Sequence, residues 1–242
     1  NFPFFLIARK MAPALVTGNT IVLKPSSDTP IGALEFAKLC DKVGIPAGVV
    51  NFVTGPGSVV GNELSKNPKI GMASLTGSVT AGQRIMSAAA EHVGEVSLEL
   101  GGNAPAIVCD DADIDEAVKD IIGSRFDNNG ELCNNVQRVY VQEGVADEFM
   151  EKLVAGVKAI ATGDTVKNPD IGMGPLINKA ALEKVDSQVK QAVKEGAKVV
   201  VGGKPMEGKG FFYEPTILTN VTQEGSAIQD EIFGPVLPVM TF

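Results

Sequence analysis

The sequence has few of the side chains on which many catalytic and metal sites depend. It contains no tryptophan, two tyrosines and a single histidine, His92. One histidine excludes a histidine-rich metal site and argues against catalysis by a Ser-His-Asp or Cys-His arrangement. The three cysteines, Cys40, Cys109 and Cys133, give neither a CxxC pair nor an even disulfide framework. This count favours a reducing, cytoplasmic compartment.

Long apolar runs and clustered basic residues are also missing. No apolar run reaches the length of a membrane span. The 21 basic residues are outnumbered by 29 scattered acidic ones, which gives a net charge of −8. Nucleic-acid binding needs a basic footprint, so we expect neither a nucleic acid nor a membrane as partner. Because the chain begins at Asn1, without an initiator methionine, we expect a piece of a longer polypeptide.

The order of apolar patterns predicts an α/β protein with a parallel, doubly wound sheet. β-rich runs alternate with helical spacing before the Gly101-Gly102 pair, and the pattern continues differently after it. We expect one domain over 1–102 and a second over 103–242. Strands are expected at 20–24, 49–53, 71–75, 96–100, 106–108, 139–141 and 199–201, and helices at 31–43, 59–64, 81–93, 113–126, 145–161 and 180–195.

Cys133 differs from the other two cysteines in its surroundings. It lies in a loop of small and polar residues, 127–135, whereas Cys40 and Cys109 follow apolar runs typical of structural cysteines. A thiol on a polar loop can be reached and ionised. Loop context alone leaves two interpretations open, a nucleophile and an incidental cysteine.

Glu99 is the one acidic residue in the middle of an apolar strand, 96–100. Strand alternation places Ser97 and Glu99 on the same face. If that face is buried, the carboxylate is costly unless paired or protonated, and it would suit general-base work. The pattern by itself favours the other interpretation, an edge strand with Glu99 in water.

Two glycine-containing turns join strands to helices. The segment 55–61 has the spacing GxGxxxG in place of the dinucleotide-binding GxGxxG, so it fits either a cofactor turn or a simple glycine-rich turn. In the second turn, Thr76-Gly77-Ser78, Ser78 could cap the next helix, whose backbone N–H groups could hold a phosphate. Capping and phosphate binding are compatible roles.

The single histidine also bears on Cys133. If Cys133 is a nucleophile, a group other than histidine must assist it, which points toward a carboxylate base.

Six segments, in order along the whole chain, resemble motifs of the NAD(P)-dependent aldehyde dehydrogenases. They are Asn1–Pro3, Lys24–Ser26, Leu75–Ser78, Leu98–Pro105, Gly130–Cys133 and Asp230–Val236. Each motif is modest alone, but six in the same order make the resemblance specific. Within the family the likeness is greatest to bacterial members that act on lactaldehyde or glycolaldehyde, and it includes 173–178.

The resemblance implies a partial Rossmann-like cofactor-binding domain over 1–102 and a thiol-bearing catalytic domain over 103–242. NAD or NADP would be the cofactor and a small aldehyde the substrate. Cys133 would attack the aldehyde, Asn1 and the Cys133 N–H would stabilise the oxyanion, and Glu99 would activate water to hydrolyse the thioester. Homo-oligomers, dimers or tetramers, are implied for the full-length form.

The resemblance also implies seven residues in contact with the cofactor: Lys24, Ser27, Gly57, Gly77, Ser78, Glu231 and Phe233. Lys24 would contact the adenosine ribose, Ser78 the pyrophosphate and Glu231 the nicotinamide ribose. NAD-preferring members often have a glutamate near Ser27. A serine there cannot repel a 2′-phosphate, so NAD and NADP both stay open.

Two positions depart from the family pattern. Glu131 replaces a glutamine two residues before Cys133, and a carboxylate that points inward there would make the thiolate harder to form. Asn103 replaces a common lysine. Glu131 and the expected truncation leave a second hypothesis open, an inactive or structural member that binds cofactor without turnover.

Overall fold

The structure, a computed structural model that describes all 242 residues, contains two compact units, Asn1–Leu100 and Gly101–Phe242. Both are built from strands and helices in alternation, and the expected α/β class is confirmed. The units divide beside the Gly101-Gly102 pair. That the first unit binds a cofactor and the second carries catalysis stays a prediction. No helix has both the length and the apolar character needed to cross a bilayer.

The first unit consists of four helices and four short strands. They are α1 Pro3–Val16, β1 Ile21–Leu23, α2 Pro30–Lys42, β2 Val50–Phe52, α3 Asn62–Lys66, β3 Met72–Thr76, α4 Val79–Ala90 and β4 Glu95–Glu99. β1 pairs in parallel with β2, and β3 pairs in parallel with β4. The periodicity did not predict α1, although a proline in the first helical turn, Pro3, is typical of a helix start.

The carboxyl ends of β3 and β4 lie side by side. Thr76 at the end of β3 is in register with Glu99 at the end of β4. After β3 the chain turns directly into α4, and the Ser78 side chain caps this helix by accepting the N–H of Ala81 at 3.2 Å. In parallel sheets, ligands commonly bind beyond the carboxyl ends of the strands, so this edge positions Gly77, Ser78 and Glu99 where chemistry is expected.

The second unit is a five-stranded sheet with helices packed against it. Its elements are β5 Ala104–Val108, α5 Ile114–Phe126, β6 Val136–Val141, α6 Ala146–Lys158, α7 Lys179–Lys194, β7 Lys198–Val201, β8 Thr216–Thr219, α8 Ser226–Gln229 and β9 Val236–Thr241. The strand order is β5-β6-β9-β8-β7, and all pairs are parallel except β7 with β8. The sequence pattern did not predict β8, β9 or α8.

A buried core fixes α5 and α6 on this sheet. Phe149, Leu153 and Val157 recur at helical spacing along α6 and are 0% exposed. They share one hydrophobic cluster with Val139 and Val141, alternate residues of β6. The loop that carries Cys133 joins α5 to β6, so both of its ends are anchored in this core.

One expectation about an individual side chain was wrong. Cys109 was expected to be structural, but it is exposed, because it follows the buried end residue of β5, Val108, and lies outside the core. The single histidine, His92, is half-buried, and its Nδ1 is buried without a hydrogen-bond partner. α4 ends at Ala90, so His92 belongs to the following turn.

Candidate active site

In the first unit, Lys24 and Ser27 meet at the start of the glycine turn. The Lys24 ammonium donates to the carbonyl of Pro25 at 2.6 Å and to that of Gly55 at 3.4 Å. The Ser27 hydroxyl also donates to the Gly55 carbonyl, at 3.4 Å. A Cβ at Gly57 would meet no atom of the chain within 4 Å. The space beside Gly57 is therefore open, as a ligand contact there would require.

The glycine turn does not have the geometry of a dinucleotide-binding loop that runs straight into a long helix. Gly57–Gly61 forms a wide π-helical turn, and α3 behind it has only five residues. Gly55 has a φ of +146°, a conformation that favours glycine. The altered spacing in the sequence thus corresponds to an altered local structure.

The start of α4 offers a second place for an anionic group. Gly77 and Ser78 are exposed, and the Gly77 N–H donates to the Glu99 carbonyl at 3.0 Å. The first backbone N–H groups of a helix lack partners within the helix and favour negative charge. Ser78 is an N-cap, as expected, and this role leaves neighbouring N–H groups available for phosphate oxygens.

Glu99 is exposed, which is the alternative that its strand pattern favoured. Its side chain is 48% exposed and forms an ion pair with Arg9 of α1, Nη2 to Oε1, at 3.6 Å. The neighbouring Lys10 donates to Ser74 Oγ at 2.6 Å. Burial lowers the pKa of Lys10, and the Glu99 charge acts in the opposite direction. The carboxylate therefore lies near two cationic side chains of α1 that sequence reasoning did not single out.

Asn1 is exposed and lies two residues before the first residue of α1. Phe2, between Asn1 and the helix, has a left-handed backbone with φ 45°. A non-glycine residue rarely adopts this conformation, so it marks a sharp turn of the chain. The oxyanion role of Asn1 stays a prediction.

In the second unit, Cys133 follows a strongly bent stretch of backbone. Asn128 and Asn129 have φ values of 46° and 60°, and Gly130 continues at 70°. Asparagine and glycine are the residues that tolerate the left-handed region best, which explains their presence here. The Cys133 side chain is exposed. The thiol is thus accessible, as the loop composition predicted.

The Gly101-Gly102 pair separates the Cys133 backbone from Glu231. The Gly102 N–H donates to Glu231 Oε1 at 3.1 Å. A Cβ at Gly101 would overlap the Glu231 carboxylate, and a Cβ at Gly102 would overlap the Cys133 carbonyl. The structure therefore brings Cys133 and Glu231 together around two residues without side chains. Phe233, two residues further on, is half-buried.

The two departures from the family pattern have different surroundings. Glu131 is only 6% exposed, and burial raises its pKa to about 7. Near neutral pH a large share of these carboxyl groups is therefore uncharged. Asn103 donates to the carbonyls of Ile228 and Gln229 at 2.8 and 3.1 Å. It thereby fastens α8 just before Glu231.

Comparison with known proteins identifies the family. The model of the aldehyde dehydrogenase family matches residues 1–242. Lactaldehyde dehydrogenase of Escherichia coli (strain K12) is 57% identical over 242 residues, which are 100% of this chain and 50% of that protein. Succinate-semialdehyde dehydrogenase (NADP(+)) of the same organism is 47% identical, again over 100% of this chain and 50% of that protein.

The fold agrees with the sequence match. A crystal structure of E. coli lactaldehyde dehydrogenase superimposes with a TM-score of 0.98 at 57% identity and covers 100% of this chain and 50% of that one. The chain thus spans about half the length of the relatives it matches. With a family match over all 242 residues, the chain belongs to the aldehyde dehydrogenase family.

Proposed function

We propose that the complete protein oxidises a small aldehyde to its carboxylic acid, with NAD or NADP as hydride acceptor and Cys133 as nucleophile. The observation that carries the proposal is the exposed Cys133 thiol, whose backbone carbonyl lies against Gly102, the residue whose N–H binds the Glu231 carboxylate. Membership of the family supports the same reaction class. Of the other two thiols, Cys40 is buried, and Cys109 is exposed directly after β5.

Cys133 would react as its thiolate. The sulfur would attack the carbonyl carbon and form a thiohemiacetal, and the Asn1 amide and the Cys133 N–H would stabilise the oxyanion. Loss of a hydride from that carbon leaves a thioester on Cys133. Glu99 would then take a proton from water, and the hydroxide would release the acid and restore the thiol. The exposure of Glu99 supports this role, because a base for water must itself be accessible.

The residues present fit a dinucleotide cofactor, which supplies the hydride acceptor when it is bound. The capped start of α4 and Ser78 would hold the pyrophosphate. Lys24 would contact the adenosine ribose, with Ser27 and Gly57 beside it, and the open space at Gly57 fits that close approach. The Glu231 carboxylate has one oxygen bound by Gly102, and it would orient the nicotinamide ribose near Phe233.

A short hydroxyaldehyde such as lactaldehyde or glycolaldehyde is the proposed substrate. The support is the 57% identity to a lactaldehyde dehydrogenase, against 47% to a succinate-semialdehyde dehydrogenase. A serine at position 27 does not repel the 2′-phosphate of NADP. We therefore propose that the protein accepts both NAD and NADP.

A second candidate is a family member that binds cofactor without turnover. The buried Glu131, two residues before Cys133, favours it, because the ionised fraction of this carboxyl would oppose a thiolate nearby. Its prediction is distinct: Cys133 would be labelled by electrophiles, but no aldehyde would be oxidised.

The test uses the complete protein with a panel of aldehydes, NAD and NADP. Replacement Cys133→Ala should abolish formation of NADH or NADPH, a loss of at least about 10³-fold, because no other thiol can take over the covalent step. Cofactor affinity, measured by fluorescence titration, should stay within about twofold.

Cys109→Ala is the matched control, since it removes another exposed thiol. It should retain full turnover. Turnover in Cys133→Ala would exclude Cys133 as nucleophile, and labelling of Cys133 without any turnover in the unmodified protein would favour the second candidate.

A further inference from the structure

One arginine is completely buried in the second unit. Arg125, in the last turn of α5, is 0% exposed. Its guanidinium donates five hydrogen bonds, and none of the acceptors is a carboxylate. The acceptors are the carbonyls of Ile232 at 2.7 Å, Gly234 at 2.6 Å, Val236 at 2.8 Å and Val136 at 3.4 Å, and Asn135 Oδ1 at 3.2 Å. A buried cation without a salt-bridge partner is costly and calls for an explanation.

Towards the cysteine loop, Arg125 acts through Asn135. Asn135 Oδ1 accepts from Arg125 and, at 2.7 Å, from Gln137, while its Nδ2 donates to the Gly130 carbonyl at 3.2 Å. Gly130 and Asn135 flank Cys133 on either side in sequence. The asparagine therefore spans the segment that carries the nucleophile and ties it to the guanidinium.

On its other side, Arg125 holds the segment that carries Glu231 and Phe233. Its Nη2 donates to the carbonyls of Ile232 and Gly234, the residues on either side of Phe233. Burial lowers the pKa of Arg125 to about 9, and the Glu231 carboxylate acts in the opposite direction. The side chain still carries its charge at neutral pH, so these hydrogen bonds are charge-assisted.

We infer that Arg125 is a positioning residue that fixes the Cys133 loop and the Glu231–Phe233 segment relative to each other. This inference rests on the proposed function. Arg125 itself forms no hydrogen bond with the Cys133 thiol or with the Glu231 side chain. It sets the distance between the reacting thiol and the carboxylate that would hold the nicotinamide ribose, since the two segments share one guanidinium.

The first variant is Arg125→Lys in the complete protein. A lysine keeps the charge but has three donors on one atom, so it cannot span both segments. The rate of Cys133 alkylation by iodoacetamide should fall about 10-fold, and the KM for NAD or NADP should rise about 10-fold. Misplacement of reacting groups by about 1 Å commonly costs up to about 100-fold in rate, so kcat should fall as well.

The second variant separates the two ends of the network and covers the case in which Arg125→Lys does not fold. Asn135→Ala removes the link to the cysteine loop and leaves the bonds to the Ile232 and Gly234 carbonyls in place. Its alkylation rate should fall by a similar factor, while the KM for the cofactor stays within about twofold. A general loss of packing would not separate these two quantities.

Leu153→Ala is the control for stability, because Leu153 is buried on α6 in the same unit without any bond to either segment. It should lower the melting temperature and leave alkylation and KM unchanged at 20 °C. A folded Arg125→Lys with both quantities within twofold of the unmodified protein would overturn the inference, as would unchanged alkylation in Asn135→Ala. Absence of turnover in the unmodified protein would instead count against the proposed function, because alkylation of Cys133 can still be compared among the variants.

Discussion

The two units hold their site residues by different means. In the first unit, the groups at the carboxyl ends of β3 and β4 are backbone N–H groups, the Ser78 hydroxyl and an exposed Glu99. In the second unit, the cysteine loop is held by a buried side-chain network around Arg125. A site of the first kind needs only a correct strand end, whereas one of the second kind needs a complete core around it.

The two units also differ in how much of their apolar surface is buried. Both clusters of buried hydrophobic residues lie in the second unit. In the first unit, Ile31 and Leu39 of α2 are 68% and 51% exposed, and Val43, directly after this helix, is 74% exposed. The difference indicates that the second unit contributes most of the stability of this chain, because the hydrophobic free energy scales with the apolar area removed from water.

The largest expected effect is on stability and compares one leucine from each unit. Leu153→Ala removes a fully buried side chain and should lower the free energy of unfolding by about 2–5 kcal/mol. Leu39→Ala removes a half-exposed side chain of α2 and should cost roughly 1 kcal/mol or less. Urea denaturation followed by circular dichroism measures both values.

Equal losses of unfolding free energy in the two leucine variants would contradict the assignment of most of the stability to the second unit. Hydrogen exchange gives a second measurement, since the amides of α6 should exchange more slowly than those of α2. Faster exchange in α6 would contradict the assignment of the stable core to the second unit.

An intermediate effect concerns the pH dependence of stability. Burial raises the pKa of Glu131 from 4.5 to about 7, so the folded state binds this proton more tightly than the unfolded state. Glu131 therefore makes its full contribution to the free energy of unfolding below pH 4.5. This contribution is lost as the pH rises through 7. At 1.36 kcal/mol per pKa unit, the loss amounts to about 3 kcal/mol at most.

Glu131→Gln should remove this dependence, because the amide does not titrate. The variant should be more stable than the unmodified protein at pH 8 and equal to it near pH 4.5, as measured by urea denaturation at both values. Glu183→Gln, at an exposed position on α7, is the control and should show no such difference. If the stability gap between Glu131→Gln and the unmodified protein were the same at both pH values, Glu131 would not be protonated in the folded state near neutral pH.

The smallest expected effect compares two helix caps. Ser78 caps α4 in the first unit, and Asp113 caps α5 in the second by accepting the Glu116 N–H at 3.1 Å. Each replacement by alanine should lower the free energy of unfolding by about 1 kcal/mol. Only Ser78→Ala should also raise the KM for NAD or NADP in the complete protein, because only α4 is proposed to hold the pyrophosphate.

A rise in KM of the same size in Asp113→Ala would mean that lost stability, and not lost contact, weakens cofactor binding. An unchanged KM in Ser78→Ala would mean that Ser78 caps α4 without contacting the cofactor. Steady-state kinetics with both cofactors decides between these outcomes.

Much of the fold was predictable because its signals are local. The helical spacing of apolar residues and the capping residues Ser78 and Asp113 mark α4 and α5 without reference to the rest of the chain. The short strands β8 and β9 were missed. β8 has only four residues and β9 contains a proline, so neither has a strong pattern of its own. They are strands because neighbouring strands supply their hydrogen bonds.

The α/β class, the accessible loop around Cys133, the order of the six motifs and the family all follow from the amino-acid sequence alone. The exposure of Glu99 and Cys109, the burial of Glu131 and the link that Arg125 makes between two segments of the site come from the folded structure. Three of the carbonyls that Arg125 binds lie 107, 109 and 111 residues away in sequence. Helix caps and turns depend on neighbours in the chain, whereas burial and long-range hydrogen bonds depend on which distant segments the fold brings together.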